Sequence, residues 1–249
     1  MGKMKICVPI MGRYPEEMKE QAALARDLPC DIIEMRADFM TPEHYMDMDI
    51  MRELVREVKA VSGKPLIYTL RTAGEGGWAV KLTRSDYLEH IRTAAEETDA
   101  DIVDIEGFGA GDDDYDPERT ALLCGLVNQC GKRTIVSSHD MDGTPPVEDI
   151  VIKFCALDNM GGDILKVAVF ARSEEDTYAL LEASRIFHEN YSGTPLIAIA
   201  MGEAGKTSRI CGGDFGSVMT FASGVAQSAP GQMPAAELRQ AIDEYYGEK

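Results

Sequence analysis

The run DILKVAVF, Asp163 to Phe170, decides the fold. It is aliphatic at nearly every position except Lys166, as expected of a strand covered on both faces in a parallel sheet. Seven further runs share its character: KICVPIM from Lys5, DIIEMRADF from Asp31, PLIYTLR from Pro65, DIVDIE from Asp101, RTIVSSHD from Arg133, LIAIAMG from Leu196 and SVMTFAS from Ser217. Successive starts lie 26, 34, 36, 32, 30, 33 and 21 residues apart. A strand with its crossover helix occupies about 30 residues, so all intervals but the last read as βα units. Eight such units in 249 residues predict an α/β fold, a (β/α)8 TIM barrel with a shortened segment between strands seven and eight. No linker or low-complexity stretch interrupts the pattern, so residues 1–249 read as one domain.

The intervening segments carry helical patterns. Pro15 to Leu28, Tyr45 to Val61, Ser85 to Thr98, Ser173 to Glu189 and Pro234 to Tyr246 each place apolar residues on one stripe. Ser85 and Ser173 stand as N-caps, with Asp176 three positions after Ser173, and Pro146 and Pro234 mark first helical turns. Residues 203–216, EAGKTSRICGGDFG, hold four glycines and read as a long mobile loop with at most one helical turn. Asp112 to Asp116 reads as a solvated acidic loop.

A formal charge of −18 argues against nucleic acid and against anionic lipid, both of which need a basic face. No run of about 18 apolar residues exists to span a membrane, and the N-terminal apolar stretch reads as the first strand rather than a signal peptide. Cys7, Cys30, Cys124, Cys130, Cys155 and Cys211 form no C-x-x-C pair and read as reduced, packed thiols of a cytoplasmic protein, without a zinc site.

Chemistry in such barrels gathers at the C-terminal ends of the strands. Those ends carry Glu34, Arg36 and Asp38; Arg71 and Glu75; Asp104 and Glu106; Ser137, Ser138, His139 and Asp140; Lys166; then Lys206 and Arg209 in the loop and Ser228 and Gln232 in the turn SAPGQ. Glu34, Arg36 and Asp38 share one strand face by period two, either as substrate contacts or as an ion pair closing the barrel. Lys166 reads either as a lysine snorkelling or paired with Glu106, or as a Schiff-base nucleophile. An exposed lysine has a pKa of about 10.4, and apolar walls with facing arginines would favour the neutral amine. His139 is either a packing residue or a proton-transfer group that needs no large pKa shift. The remaining histidines, His44, His90 and His188, read as solvated. Arg36, Arg71 and Arg209 can grip a carboxylate inside a negative protein, with Arg209 closing over it as a lid.

On these residues alone three other readings stay open. One is an aldolase whose glycines Gly212, Gly213 and Gly216 cradle a phosphate. Another is a cation site built from Glu34, Asp38, Asp104, Glu106 and His139. The third is a non-catalytic metabolite-binding barrel.

The segments EMRAD (Glu34–Asp38), LRTAGEGG (Leu70–Gly77), SSHD (Ser137–Asp140), DILKVAV (Asp163–Val169), GKTSRICGGDFGS (Gly205–Ser217) and SAPGQ (Ser228–Gln232) together resemble type I 3-dehydroquinate dehydratase. The resemblance runs from the first strand to the last helix. Separations of 27 residues from His139 to Lys166, 43 to Arg209 and 19 more to Ser228 also fit it. It implies a cytoplasmic homodimeric barrel without metal or organic cofactor, acting on the small molecule 3-dehydroquinate. It further implies an imine on Lys166, proton transfer by His139 oriented by Glu75, and a carboxylate grip by Arg209 with Ser228 and Gln232. Glu34, Arg36 and Arg71 would line the ring hydroxyls. Where many members carry a serine on the first strand, this chain has Pro9.

Overall fold

The computed structural model describes residues 3–78, 82–109 and 115–247. Its strands are β1 (Lys5–Ile10), β2 (Ile32–Arg36), β3 (Leu66–Thr69), β4 (Ile102–Glu106), β5 (Arg133–Asp140), β6 (Ile164–Phe170), β7 (Leu196–Met201) and β8 (Met219–Phe221). They form one parallel sheet in which β1 to β7 pair in sequence order and β8 returns to β1. At the remaining seam the Val218 amide donates to the Leu196 carbonyl at 2.8 Å. The Ser217 hydroxyl also accepts from the Ala198 amide at 3.2 Å and donates to the Met219 carbonyl at 3.1 Å. The chain is thus the expected (β/α)8 barrel.

The helices are α1 (Pro15–Arg26), α2 (Pro42–Tyr45), α3 (Met48–Ser62), α4 (Arg84–Glu97), α5 (Pro117–Gln129), α6 (Val147–Asn159), α7 (Glu174–Asn190), α8 (Lys206–Cys211) and α9 (Ala235–Tyr246). Their buried faces meet the outward strand residues in one large apolar layer that includes Ile33, Val103, Val136, Leu165 and Ala198. Ser173 caps α7 through the Asp176 amide, as expected. Two other boundaries differ from expectation. The helix expected from Tyr45 is divided, because the Asp47 side chain accepts from the Asp49 and Ile50 amides and starts α3 afresh. Thr83, not Ser85, caps α4, its hydroxyl accepting from the Asp86 amide at 3.1 Å. Asp112–Asp114 of the acidic stretch lie outside the described residues, and Asp116 caps α5.

The segment 203–216 is not the mobile loop its glycines suggested. It folds as a 3-10 turn, α8 and a second 3-10 turn. The glycines permit contact rather than motion: a Cβ on Gly205 would stand 2.1 Å from the Ala200 carbonyl oxygen of β7. The six cysteines are free thiols, but Cys130 is exposed rather than packed.

Inside the barrel the side chains climb in steps of two residues. The floor is apolar and includes Ile32, Ile67, Ile102, Ile135 and Ile164. Two residues further along the same strands stand Glu34, Thr69, Asp104, Ser137 and Lys166, all buried. The next step brings Arg36, Arg71, Glu106, His139 and Ala168. Because side chains in a strand alternate faces, an isoleucine-rich floor and a polar upper interior follow from one register. Asp38 leaves this progression, since Ala37–Phe39 form a 3-10 turn.

His90 is a correction to the solvated reading. It lies on the inner face of α4, buried, with Nε2 2.8 Å from the Tyr68 hydroxyl. Burial pushes its pKa down to about 4. The folded state therefore binds this proton more weakly than the unfolded chain does. Its contribution to stability is intact above the unfolded pKa of about 6.5 and is lost as pH falls toward 4. The loss amounts to about 3 kcal/mol, from 1.36 kcal/mol per pKa unit. His90→Gln keeps a polar partner for Tyr68 and has no titration. Urea midpoints between pH 7 and 4 should fall less steeply for this variant than for the parent chain; parallel curves would refute the assignment.

Candidate active site

A cavity of about 150 Å³ opens at the C-terminal end of the strands. Glu34, Arg36, Arg71, Glu75, His139, Lys166, Arg209, Ser228 and Gln232 all line it, so the sequence-selected residues from six separate segments meet in one place. Met141, Ile199, Met201 and Phe221 give the wall its large apolar side chains. These four escaped a search restricted to charged and hydroxyl residues. For Phe221 the usable signal was the period-two step from Met219.

Lys166 sits at the bottom of the cavity with 7% of its side chain exposed. Its Nζ lies 3.7 Å from Asp104 Oδ2, 3.9 Å from Glu34 Oε1 and 4.5 Å from the centre of the Phe221 ring. The expected partner, Glu106, stands one step higher and accepts instead from Thr72 and Arg71. The expected ring of arginines around the amine is also corrected: its charged neighbours in contact are carboxylates.

Arg71 organises the acids. One terminal nitrogen donates to Asp104 at 2.8 Å. The other reaches Ser137 at 3.0 Å, Glu106 at 3.2 Å and Glu75 at 3.4 Å. Burial works against the guanidinium charge, but Asp104, Glu106 and Glu75 more than offset it. Arg36 forms a two-pronged pair with Asp38 at 2.7 and 2.8 Å, not with Glu34, whose Oε1 accepts from Thr69 at 2.9 Å. The carboxylates considered as a cation cage are thus held by Arg71, Arg36 and Thr69. Among the described residues no three His, Cys, Asp or Glu are grouped to hold a metal ion.

His139 follows Lys166 in the ladder, pairing in register with Ala168 one step above it. Its Nδ1 stands 2.9 Å from Glu75 Oε2, which leaves Nε2 for the cavity. Burial, reinforced by Arg71, Lys166, Arg36 and Lys153, holds the imidazole well below its ordinary pKa. The expectation that this histidine needs no large shift is therefore wrong. Burial and the nearby Glu106 drive Glu75 the other way, well above the usual carboxylate range. The imidazole is consequently neutral, and Glu75 Oε2 at Nδ1 fixes its orientation.

Arg209 lies on α8 and is 1% exposed, so it is neither a surface charge nor a lid. Its terminal nitrogens donate to the Phe221 and Pro230 carbonyls, both at 3.1 Å, and its Nε is buried without a partner. No carboxylate pairs with it among the described residues, and burial pushes its pKa down to about 10. An uncompensated buried cation at a cavity wall invites an anion. The Pro230 carbonyl also accepts from the Gly202 amide at 3.1 Å. Nearby, the Ser228 amide donates to Gln232 Oε1 at 2.8 Å and Gln232 Nε2 donates to the Ser228 hydroxyl at 2.9 Å. Gly212, Gly213 and Gly216 do not line the cavity, so the phosphate cradle is not formed there.

Fold and cavity define the class: a (β/α)8 barrel with an amine and an imidazole on neighbouring strands, facing one cavity. The sequence matches the model of type I 3-dehydroquinase over residues 6–249. It is 38% identical over 242 residues to the 3-dehydroquinate dehydratase of Alkaliphilus oremlandii, covering 97% of this chain and 91% of that protein. Identity to the Klebsiella pneumoniae 3-dehydroquinate dehydratase is 35% over 243 residues, covering 97% of this chain and 93% of that protein. The type I 3-dehydroquinate dehydratase of Clostridium difficile, in a crystal structure with covalent modified comenic acid, superposes with a TM-score of 0.89. It is 31% identical, with coverage of 100% of this chain and 94% of that one. The chain belongs to the type I 3-dehydroquinase family and is a carbon–oxygen lyase.

The Arg71 cluster makes a stability prediction. Arg71→Ala leaves three buried acids without their cation, a loss of about 3–5 kcal/mol. Thermal unfolding should shift down on the order of 10 °C. Arg56→Ala, which removes an exposed pair with Glu53, should leave the midpoint nearly unchanged. Equal shifts for the two variants would contradict the assignment.

Proposed function

We propose that this protein dehydrates 3-dehydroquinate to 3-dehydroshikimate through an imine on Lys166. The reaction is the third step of the shikimate pathway, leading to chorismate and the aromatic amino acids. The observation that carries the reading is a nearly buried amine on the floor of a cavity that also holds a histidine fixed by Glu75 and an arginine with no acid partner among the described residues. Arg209 binds the substrate carboxylate, with Ser228 and Gln232 closing that end. Glu34, Arg36 and Arg71 meet the ring hydroxyls. The family resemblance carries the further reading of a cytoplasmic homodimer in which residues 1–249 form one catalytic domain.

The steps follow from these placements. Lys166 passes a proton to His139 and attacks the ketone carbon; the carbinolamine hydroxyl takes that proton back and leaves as water, giving a protonated iminium. The iminium draws electrons from the adjacent carbon, so His139 Nε2 can remove a proton there and leave a neutral enamine. Glu75 orients the imidazole through Nδ1. The enamine pushes out the neighbouring hydroxyl, which takes the proton back from His139 and departs as water. Hydrolysis of the new iminium returns Lys166 and the enone. Removal and return of the proton by one group on one face make the elimination syn.

Borohydride in the presence of 3-dehydroquinate should reduce the iminium and add one ligand mass to the peptide containing Lys166. An unmodified Lys166, or an adduct elsewhere, would refute the reading. Arg209→Ala should raise KM on the order of 100-fold, since a charge-assisted contact with carboxylate is removed. An unchanged KM would remove Arg209 as the carboxylate grip.

A further inference from the structure

Asp104 lies directly behind Lys166 and is 1% exposed, yet it does not line the cavity. One oxygen, Oδ1, is fixed by Arg71 at 2.8 Å and by Ser137 at 2.7 Å. The other, Oδ2, is fully buried and has no hydrogen-bond partner among the described residues. The cation that faces it is Lys166 Nζ, at 3.7 Å. A buried carboxylate oxygen left without a donor is costly, and the two anchors on Oδ1 prevent the group from turning away. Glu34, the other acid near the amine, is different. It lines the cavity and is engaged by Thr69, so it stands on the substrate side.

We propose that Asp104 is a positioning residue for the Lys166 nitrogen, a fixed rear carboxylate that aims the amine at the cavity and supplies the counter-charge of the protonated iminium. The inference rests on the imine reading given above. Condensation of an ammonium with a ketone yields a protonated iminium and one water, with a single positive charge on nitrogen at both ends. The ketone carbon arrives from the cavity. The one hydrogen that the iminium nitrogen keeps therefore points away from the cavity, toward Oδ2. Asp104 cannot touch the substrate, so its effect belongs to the covalent steps rather than to binding.

The test is borohydride trapping and steady-state kinetics on Asp104→Asn, a substitution of nearly equal shape. The parent chain should give the Lys166 adduct. Asp104→Asn should lower both the trapping rate and kcat by at least about tenfold while KM changes less than about twofold. Trapping and kcat at parental values would overturn the proposal. So would a KM that rises as much as kcat falls, because Asp104 would then only shape the pocket. If Asp104→Asn does not fold, Ser137→Ala supplies the answer, since it loosens Oδ1 and keeps the charge. It should lower kcat about threefold with KM unchanged, and parental kcat would overturn the proposal. Absence of an adduct in the parent chain itself would instead remove the imine reading, and this inference with it.

Discussion

The guanidinium of Arg71 joins groups that would otherwise repel one another. Glu75, Asp104 and Glu106 are buried within a few ångströms of each other, and each has an oxygen on Arg71. Breaking such a cluster is expensive because the remaining charges have nowhere to go. The same guanidinium ties the acid behind Lys166 to the acid behind His139. Lys166 and His139 are thereby held on one rigid electrostatic frame rather than on two independent strands. With Arg36 committed to Asp38 as well, Arg209 is the cavity guanidinium left without an acid partner among the described residues. A protein with a net charge of −18 thus keeps one buried guanidinium on its inner surface without a carboxylate partner among the described residues.

Much of this was legible in sequence because strands repeat every two residues. The polar residues at strand ends were visible as interruptions of apolar runs, and a barrel register brings such interruptions to one mouth. Lys166 and His139 were found in this way, whereas Glu75 and Arg209 came from the glycine-rich segments that follow the third and seventh strands. Pairing was not legible. Whether Lys166 meets Asp104 or Glu106 depends on the relative height of two non-adjacent strands, and a single sequence does not state that height. His90 failed for a related reason. A lone polar residue on a helix looks solvated unless its partner is known, and here the partner is Tyr68, 22 positions away.

Glycine was the most misleading signal. The glycines of 203–216 suggested mobility, yet they allow α8 to press against β7. Gly231 does the same for the turn after β8: its φ is +74°, and a Cβ there would stand 2.1 Å from the Gly202 oxygen. These contacts seat the Pro230 carbonyl where it accepts from Arg209. Missing side chains at the rim thus fix the position of a charged side chain within. Composition alone does not separate a glycine that frees a backbone from one that lets two backbones touch.

The β7–β8 seam has a further consequence. Elsewhere the staves of the barrel are joined by ladders, but here one main-chain bond and the Ser217 hydroxyl do the joining. Local opening requires least where the fewest bonds must break together, so this is where the ring parts first on brief thermal excursions. Arg209 is anchored to the Phe221 carbonyl on one side of that gap, while its helix follows directly from the other. Amide exchange along Leu196–Ala198 would therefore report how often this seam opens and the Arg209 guanidinium loses its anchor, linking the elasticity of the ring to the aim of one buried charge.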